Sequence, residues 1–301
     1  MVGLLLSITL ANGLAALQGQ PTAVRVGQVT VVTWPGQRSL GIDLARRAGR
    51  PTEWPGLGLR TPGPLQLIVV PTGRQLDSLS SGRAPAWGAA VALPGSRMIL
   101  LRADRDDLYG TLRHELAHLA LHQAVQGRVP LWFDEGYASW AAGEWGRLDV
   151  LDLNLAVVRG AVPDLRDLDG ALRGSASTAD AAYALAVSAV TELARRNPSR
   201  SLTPLLQRLE AGEDFEAAVL ATSGLTMSQF DTQWRLKVRR RYSLVTWLLA
   251  GGGWGVLAFS MWALVRIRRR ADLPRRAALD EGWVIPPETT DTPELDPTQE
   301  R

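Results

Sequence analysis

Short apolar runs separated by polar turns dominate the chain before Asp106. Four of them have the length and composition of strands: residues 28–34, 65–70, 88–93 and 98–102. The first is rich in Val and Thr, and Pro94-Gly95-Ser96 joins the last two as a turn. Residues 39–48 have the pattern of a helix. These patterns predict that a sheet forms the first part of the domain.

From Asp106 onward, apolar residues recur at spacings of three and four, which is the period of helices buried on one side. This period predicts helices over residues 106–124, 130–143, 147–158, 177–196, 202–210, 213–222 and 226–241. Strands followed by helices are typical of an α+β domain. We therefore expect a two-lobed domain over residues 19–241, with an N-terminal mixed β-sheet and its helices beside a C-terminal helical lobe.

Two longer apolar runs flank this domain. Residues 1–18 carry no charged side chain and end in small residues, which is typical of a signal peptide, although no Lys or Arg precedes the apolar stretch. The alternative is a buried strand or helix at the edge of the domain. Residues 244–265 are also free of charge and, as a helix, are long enough to cross the hydrocarbon layer of a membrane.

The residues within and around the run 244–265 indicate its role. Arginine clusters bracket it, and this arrangement favours a transmembrane helix over a buried core helix. Gly251 and Gly255 form a GxxxG pair, a weak indication of helix-mediated self-association. The polar, proline-punctuated tail over residues 266–301 is predicted to be disordered.

Composition narrows the chemistry that this chain can perform. The net charge is only +3, which argues against a nucleic-acid partner. The chain has no cysteine, so disulfides, thiolate nucleophiles and cysteine-bound zinc are excluded. A transition-metal site would have to be built from histidines and carboxylates.

One motif points to such a site. Residues 114–118 read His-Glu-Leu-Ala-His in the middle of the predicted helix 106–124. Positions four apart lie on one helix face, so His114 and His118 can bind one zinc ion, while Glu115 can act as general base on a bound water. All three histidines of the chain, His122 included, lie on this helix. That coincidence argues against a chance match.

Catalytic zinc usually has three protein ligands and an open position. Residues 121 and 124 are Leu and Ala, which excludes the metzincin pattern, and His122 is one turn too far along a straight helix. Glu135, seventeen residues after His118, lies near the start of the next predicted helix and is the best candidate. The alternative is an ordinary acid at a helix N-terminus.

These residues resemble a known signature. His114-Glu-Leu-Ala-His118 followed by Pro130-Leu-Trp-Phe-Asp-Glu135-Gly-Tyr-Ala is similar to the paired motifs of gluzincin peptidases, and the closest likeness is to the peptidase MA-like family. The resemblance implies a zincin-like, thermolysin-type fold with Zn²⁺ as cofactor and Glu135 as third ligand. It also implies that the run containing Gly88, Ala89, Ala90 and Val91 is the edge strand along which a peptide or protein substrate lies.

A transition-state oxyanion needs a donor besides the metal. Tyr183 stands where related peptidases carry a tyrosine, Tyr137 is a competitor, and either could be an ordinary buried aromatic residue. We expect His122 to pack or hydrogen-bond beneath the site without a catalytic role. The leading hypothesis is a membrane-anchored zinc metallopeptidase. The alternatives are a catalytically inactive zincin-like binding module and an assembly protein that acts through its membrane helix.

The two apolar runs generate a prediction about topology. A signal peptide would start export and the span at residues 244–265 would stop it, so the domain should face outside a bacterial-type cytoplasmic membrane that the chain crosses once. We expect protease added to intact spheroplasts to digest the domain and spare a tag placed at residue 301. Digestion of the tag with protection of the domain would mean the opposite orientation.

Overall fold

The computed structural model of the chain describes residues 19–84, 87–125, 127–144, 162–241 and 253–281. The chain divides into two units, one ending at Leu244 and one beginning at Val245. The predicted signal peptide at residues 1–18 and the predicted helix at 147–158 lie outside the described residues.

A five-stranded mixed sheet forms one layer of the first unit. The strands described are β1 (Thr22–Val26), β2 (Val29–Thr33), β3 (Thr52–Trp54), β4 (Gly58–Arg60), β5 (Leu65–Val70), β6 (Ala90–Leu93) and β7 (Met98–Arg102). The sheet has the order β1-β2-β5-β7-β6, while β3 and β4 form a separate hairpin. The inner strands β2, β5 and β7 run parallel, and the two edge strands are antiparallel to their neighbours.

The four predicted strands are confirmed as β2, β5, β6 and β7. Their apolar content follows from burial, since Val29 and Val31 of β2 pair with Leu65 and Leu67 of β5 and all four side chains are buried. Strand β1 was not predicted. It is a short, largely exposed edge strand that pairs antiparallel with β2, and its Val24 and Val26 pack against the core of the sheet.

Helices make up the rest of the described first unit. They are α1 (Arg38–Ala48), α2 (Gly73–Ser80), α3 (Leu108–Ala124), α4 (Leu131–Ala142), α5 (Leu165–Leu172), α6 (Ala176–Arg196), α7 (Thr203–Glu210), α8 (Phe215–Ser223) and α9 (Met227–Arg241). The predicted helices outside residues 147–158 are confirmed to within two residues at each end. Helices α2 and α5 were not predicted.

The helix that carries the HExxH motif lies between two cores. Leu112 of α3 belongs to the core that the sheet forms with α1, whereas Ala117 and Leu121 belong to the core of the helical lobe. The side chain of Asp107 caps the start of α3 by accepting a hydrogen bond from the backbone N–H of Gly110 at 2.8 Å. The expected α+β fold is therefore confirmed, with α3 fixed on both sides.

The described part of the second unit is a helix, α10 (Gly253–Glu281). Among the described residues, no helix combines the length and apolar character that a membrane crossing requires. The span predicted over residues 244–265 is thus not supported there, and residues 244–252 lie outside the described residues. Disorder from residue 266 onward is wrong as far as Glu281, because a run rich in Ala, Leu and Arg continues the helix.

Helices α4 and α6 pack closely at Gly136. A Cβ atom added to Gly136 would lie 2.6 Å from the carbonyl oxygen of Ala186 and 2.9 Å from a methyl group of Val190. No side chain fits in that space, so only glycine permits this spacing. Because Gly136 directly follows Glu135, the contact also fixes how far Glu135 stands from α6.

The contact predicts that Gly136→Ala lowers the free energy of unfolding by about 1–3 kcal/mol, because the helices must separate or bend. Gly170→Ala is the matched control, since Gly170 lies in α5 with open space where its Cβ would be. That change should be neutral or stabilising by up to about 1 kcal/mol. Urea denaturation of both variants measures the difference, and equal midpoints would contradict the close packing.

Candidate metal centre

Helix α3 brings two imidazole rings together. His114 and His118 are four residues apart and project from one face of the helix, as residues at this spacing must. Their Nε2 atoms lie 3.1 Å apart, and the side chains are 13% and 11% exposed. A small opening to solvent therefore remains at a largely buried pair of nitrogen donors.

Helix α4 adds a carboxylate to this pair. The chain turns after Ala124, and α4 packs against α3 so that Glu135 Oε2 lies 3.5 Å from His114 Nε2 and 3.6 Å from His118 Nε2. Tetrahedral ligands at the usual zinc distances of about 2.0–2.2 Å are themselves roughly 3.3–3.5 Å apart. The three donor atoms, all within 4.8 Å of one another, fit a single ion of that size.

Each histidine has a carboxylate at its other ring nitrogen. His118 Nδ1 lies 2.7 Å from Asp134 Oδ1, and His114 Nδ1 lies 3.0 Å from Glu144 Oε2. Such partners hold the proton on Nδ1 and leave the Nε2 lone pair for a metal ion. Two lone pairs and a carboxylate oxygen then converge on one point, and a cation placed there satisfies all three.

The electrostatics of the centre also favour positive charge. Burial lowers the pKa of His114, yet hydrogen bonds with Glu135 and Glu144 outweigh it and raise the pKa to about 9. Burial raises the pKa of Glu135, but hydrogen bonds with both histidines hold it well below its usual range. Without metal, protons on the histidines supply the positive charge, and metal binding would displace these protons.

Glu115 is not among the three residues whose donor atoms converge. Its buried side chain faces strand β6, where the backbone of Ala92 hydrogen-bonds the carboxylate. Burial raises the pKa of the Glu115 carboxyl, while the two neighbouring histidines lower it. Glu115 therefore lies beside the centre, with its carboxyl group held by the backbone of strand β6.

A cavity of about 440 Å³ opens beside the centre. His114, Glu115, Gly88, Ala89 and Ala90 line it, together with Trp87, Thr111, Ser139, Glu144, Asp180, Tyr183, Ala184 and Val187. The run over residues 88–91 was expected to form an edge strand. The sheet order agrees, because β6 lies at the end of the described sheet. Of the four residues expected along a substrate, Val91 does not line the cavity, since it points to the opposite face and packs with the core around Leu100.

The two tyrosines considered as oxyanion donors have different surroundings. Tyr183 on α6 lines the cavity, with its ring 6.3 Å from the His114 ring and its hydroxyl hydrogen-bonded with Glu135. Burial and nearby carboxylates raise its pKa, so the phenol keeps its proton. Tyr137 is fully buried and donates to the carbonyl oxygen of Pro55 at 3.0 Å. Only Tyr183 is placed to act in the cavity.

Two carboxylates of the centre were missed by sequence reasoning. Asp134 contacts both His118 and His122, and Glu144 contacts His114. Asp134 directly precedes the candidate ligand Glu135, and this position next to a ligand could have indicated its role in the sequence. Glu144 follows the end of α4, and nothing in its local sequence indicates that the chain returns to His114. The expected hydrogen bonding of His122 beneath the site is present, at 2.6 Å from Asp134 Oδ2.

Comparison with known proteins agrees with this geometry. No curated protein matches the chain. The family model described as Peptidase MA superfamily matches residues 56–240, which is more than half of the chain and contains the whole centre. This match, together with the converging His114, His118 and Glu135, shows that the chain belongs to the Peptidase MA superfamily.

Proposed function

We propose that the protein is a zinc-dependent peptidase that hydrolyses peptide bonds in the cavity beside His114. The observation that carries the proposal is the convergence of His114 Nε2, His118 Nε2 and Glu135 Oε2 within 3.6 Å of one another beside a buried, unligated Glu115. A structural zinc site would be closed by a fourth protein ligand, whereas three ligands and a cavity leave a position for substrate or water.

The donor set supports zinc as the cofactor. Two imidazoles and one carboxylate are a known ligand set of catalytic zinc, and imidazole suits transition metals better than Mg²⁺ or Ca²⁺. His114, His118 and Glu135 would hold the ion, with Glu144 and Asp134 fixing the two rings. A bound zinc ion would polarise the substrate carbonyl and lower the pKa of a water molecule.

Glu115 is the proposed general base. Its carboxylate accepts a proton from the attacking water and passes it to the leaving amine, so the same group serves first as base and then as acid. Burial supports this role, because a carboxylate taken out of water holds a proton more firmly than an exposed one. The bond from the backbone of Ala92 limits how the carboxylate can rotate.

The proposed substrate is an extended peptide segment. Among the described strands, β6 has a partner on one side only, so its outer backbone groups can pair with an added strand. Ala90 of this strand and the preceding Gly88 and Ala89 line the cavity, and their small side chains leave room for the substrate backbone. Tyr183, on the α6 side of the cavity, would donate its hydroxyl hydrogen to the oxyanion.

We also propose that residues 244–265 attach the domain to a membrane. The absence of charge over these residues supports the idea, as do the large exposed apolar side chains that α10 carries, among them Trp254 at 75% exposure. Attachment would place the cavity near peptide segments at that membrane. The spheroplast experiment described above tests the attachment and the orientation together.

A pair of substitutions separates metal binding from catalysis. His118→Ala should no longer bind one zinc per chain, because only two of the three protein ligands remain. Glu115→Gln should keep one zinc per chain and lose about 10²–10⁴-fold in hydrolysis, because it removes only the base. Metal analysis of the purified chain and digestion of a randomised peptide library, with and without chelator, measure both effects.

Gln123→Ala is the control for this pair. Gln123 is exposed on the same helix and contacts neither the metal centre nor the substrate cavity. It should leave zinc content and turnover unchanged. Full zinc occupancy in His118→Ala would refute the ligand assignment. Undiminished turnover in Glu115→Gln would refute the mechanism, and a zinc-loaded wild-type chain that cleaves no peptide in the library would favour a binding module.

Tyr183 generates a separate expectation. Tyr183→Phe keeps the ring beside His114 but removes the hydroxyl, both from Glu135 and from the proposed oxyanion. We expect kcat to fall about 10-fold or more while KM changes little, because the hydrogen bond to the oxyanion would form only in the transition state. Tyr137→Phe, which loses a hydrogen bond to Pro55 away from the cavity, should leave kcat within about twofold while lowering stability. Equal kcat in Tyr183→Phe and wild type would exclude the donor role.

A further inference from the structure

A single carboxylate joins two histidines of α3. Asp134 Oδ1 lies 2.7 Å from His118 Nδ1, and Asp134 Oδ2 lies 2.6 Å from His122 Nε2. The three side chains become more exposed in that direction, at 11% for His118, 16% for Asp134 and 32% for His122. The chain of contacts therefore runs from the metal centre outward to a histidine that the proposed mechanism does not use.

The second hydrogen bond changes what the first can do. The torsion that turns a carboxylate about its Cβ–Cγ bond has broad minima, so one hydrogen bond leaves the plane of the Asp134 carboxylate free to rock. A partner on each oxygen fixes that plane. The direction of the bond to His118 Nδ1 is then fixed as well, and with it the orientation of the imidazole whose Nε2 faces Glu135.

The roles that Asp134 and His122 would have as unrelated surface residues do not explain their hydrogen bond to each other. Asp134 lies in the first turn of α4, where an acidic side chain is favoured by the helix dipole. That role requires only that the carboxylate be near the helix end, yet both of its oxygens are directed at histidines of another helix. His122 could be a solvated surface residue, but its Nε2 atom is committed to Asp134 at hydrogen-bond distance.

His122 is also well placed for a test that leaves the substrate site intact. It lines a second cavity of about 520 Å³, which shares no lining residue with the cavity beside His114. Gln123, the next residue, lines the same second cavity. A change at residue 122 can therefore reach the metal centre through Asp134 without altering a substrate contact.

We infer that His122 is a positioning residue that acts through Asp134 to fix the His118 ring and so raises the affinity of the centre for zinc. The inference rests on the proposed function, because it takes His118 to be a zinc ligand. Loss of an outer-shell partner of a metal-binding histidine weakens metal binding by about 10–100-fold. His122 is one step further out, so an effect near the lower figure is expected.

The experiment compares two substitutions of His122, one that keeps a hydrogen-bond donor and one that removes it. His122→Gln places a side-chain amide NH₂ at nearly the reach of the imidazole Nε2 and keeps a donor for Asp134, whereas His122→Phe keeps a ring and removes the donor. Zinc dissociation constants of the full chain are measured by competition with a chromophoric chelator. We expect zinc binding to weaken about 10-fold in His122→Phe and to stay within about threefold of wild type in His122→Gln.

Two further measurements exclude a merely structural effect. Cobalt(II) is substituted for zinc, and its visible spectrum should shift in His122→Phe and not in the Gln123→Ala control, because only the former alters the ligand geometry. Thermal unfolding of the metal-free variants shows whether stability has changed. A loss of affinity that His122→Gln does not rescue would assign His122 to packing and would overturn the inference.

The outcomes separate this inference from the proposed function. Unchanged zinc affinity in His122→Phe, with tight stoichiometric zinc in the wild-type chain, would refute the role of His122 alone. Absence of zinc binding by the wild-type chain would refute the zinc peptidase itself. If His122→Phe fails to fold, Asp134→Asn provides the second route. It keeps the side-chain shape but presents one oxygen instead of two, and the inference then requires weaker zinc binding and a shifted cobalt spectrum.

Discussion

The structure around the centre depends on one constraint. Two imidazole nitrogens and a carboxylate oxygen, from two helices, have to lie within 3.6 Å of one another in a largely buried place. Buried polar groups are costly unless they are paired, so this cluster is stable only with positive charge among its members. Asp134 and Glu144 add negative charge beside the two histidines, and hydrogen bonds with Glu135 and Glu144 raise the pKa of His114 to about 9.

The fold meets the constraint by holding the two helices rigidly. Helix α3 is buried against the sheet through Leu112 and against the helical lobe through Leu121, so its histidine face cannot turn. Helix α4 is set by the close approach of Gly136 to Ala186 on α6. Because Glu135 and Gly136 are neighbours, the packing contact also fixes the position of the candidate ligand. Tyr183 lies on α6, as Ala186 does, so the same contact sets the distance of Tyr183 from the cavity.

Sequence reasoning reached the features that depend on local periodicity. The spacing of His114 and His118 fixes their common face, and the strands around the parallel core are recognisable because burial leaves them almost wholly apolar. It missed β1, a largely exposed edge strand that pairs with β2 and packs Val24 and Val26 against the core of the sheet. It also missed Glu144, whose contact with His114 depends on tertiary packing. Val91 was expected along the substrate together with Gly88, Ala89 and Ala90. Its side chain packs with the core around Leu100, because side chains alternate between the two faces along a strand.

The edge position of β6 has a consequence for the physical state of a substrate. A segment can add to this strand only when its own backbone N–H and C=O groups are not already paired, so a segment inside a folded helix or sheet has first to open locally. The equilibrium constant for that opening would multiply directly into the cleavage rate, since only the open population could enter the cavity. A peptidase built on this geometry would discriminate between proteins less by the residues at the scissile bond than by how often each segment is unfolded.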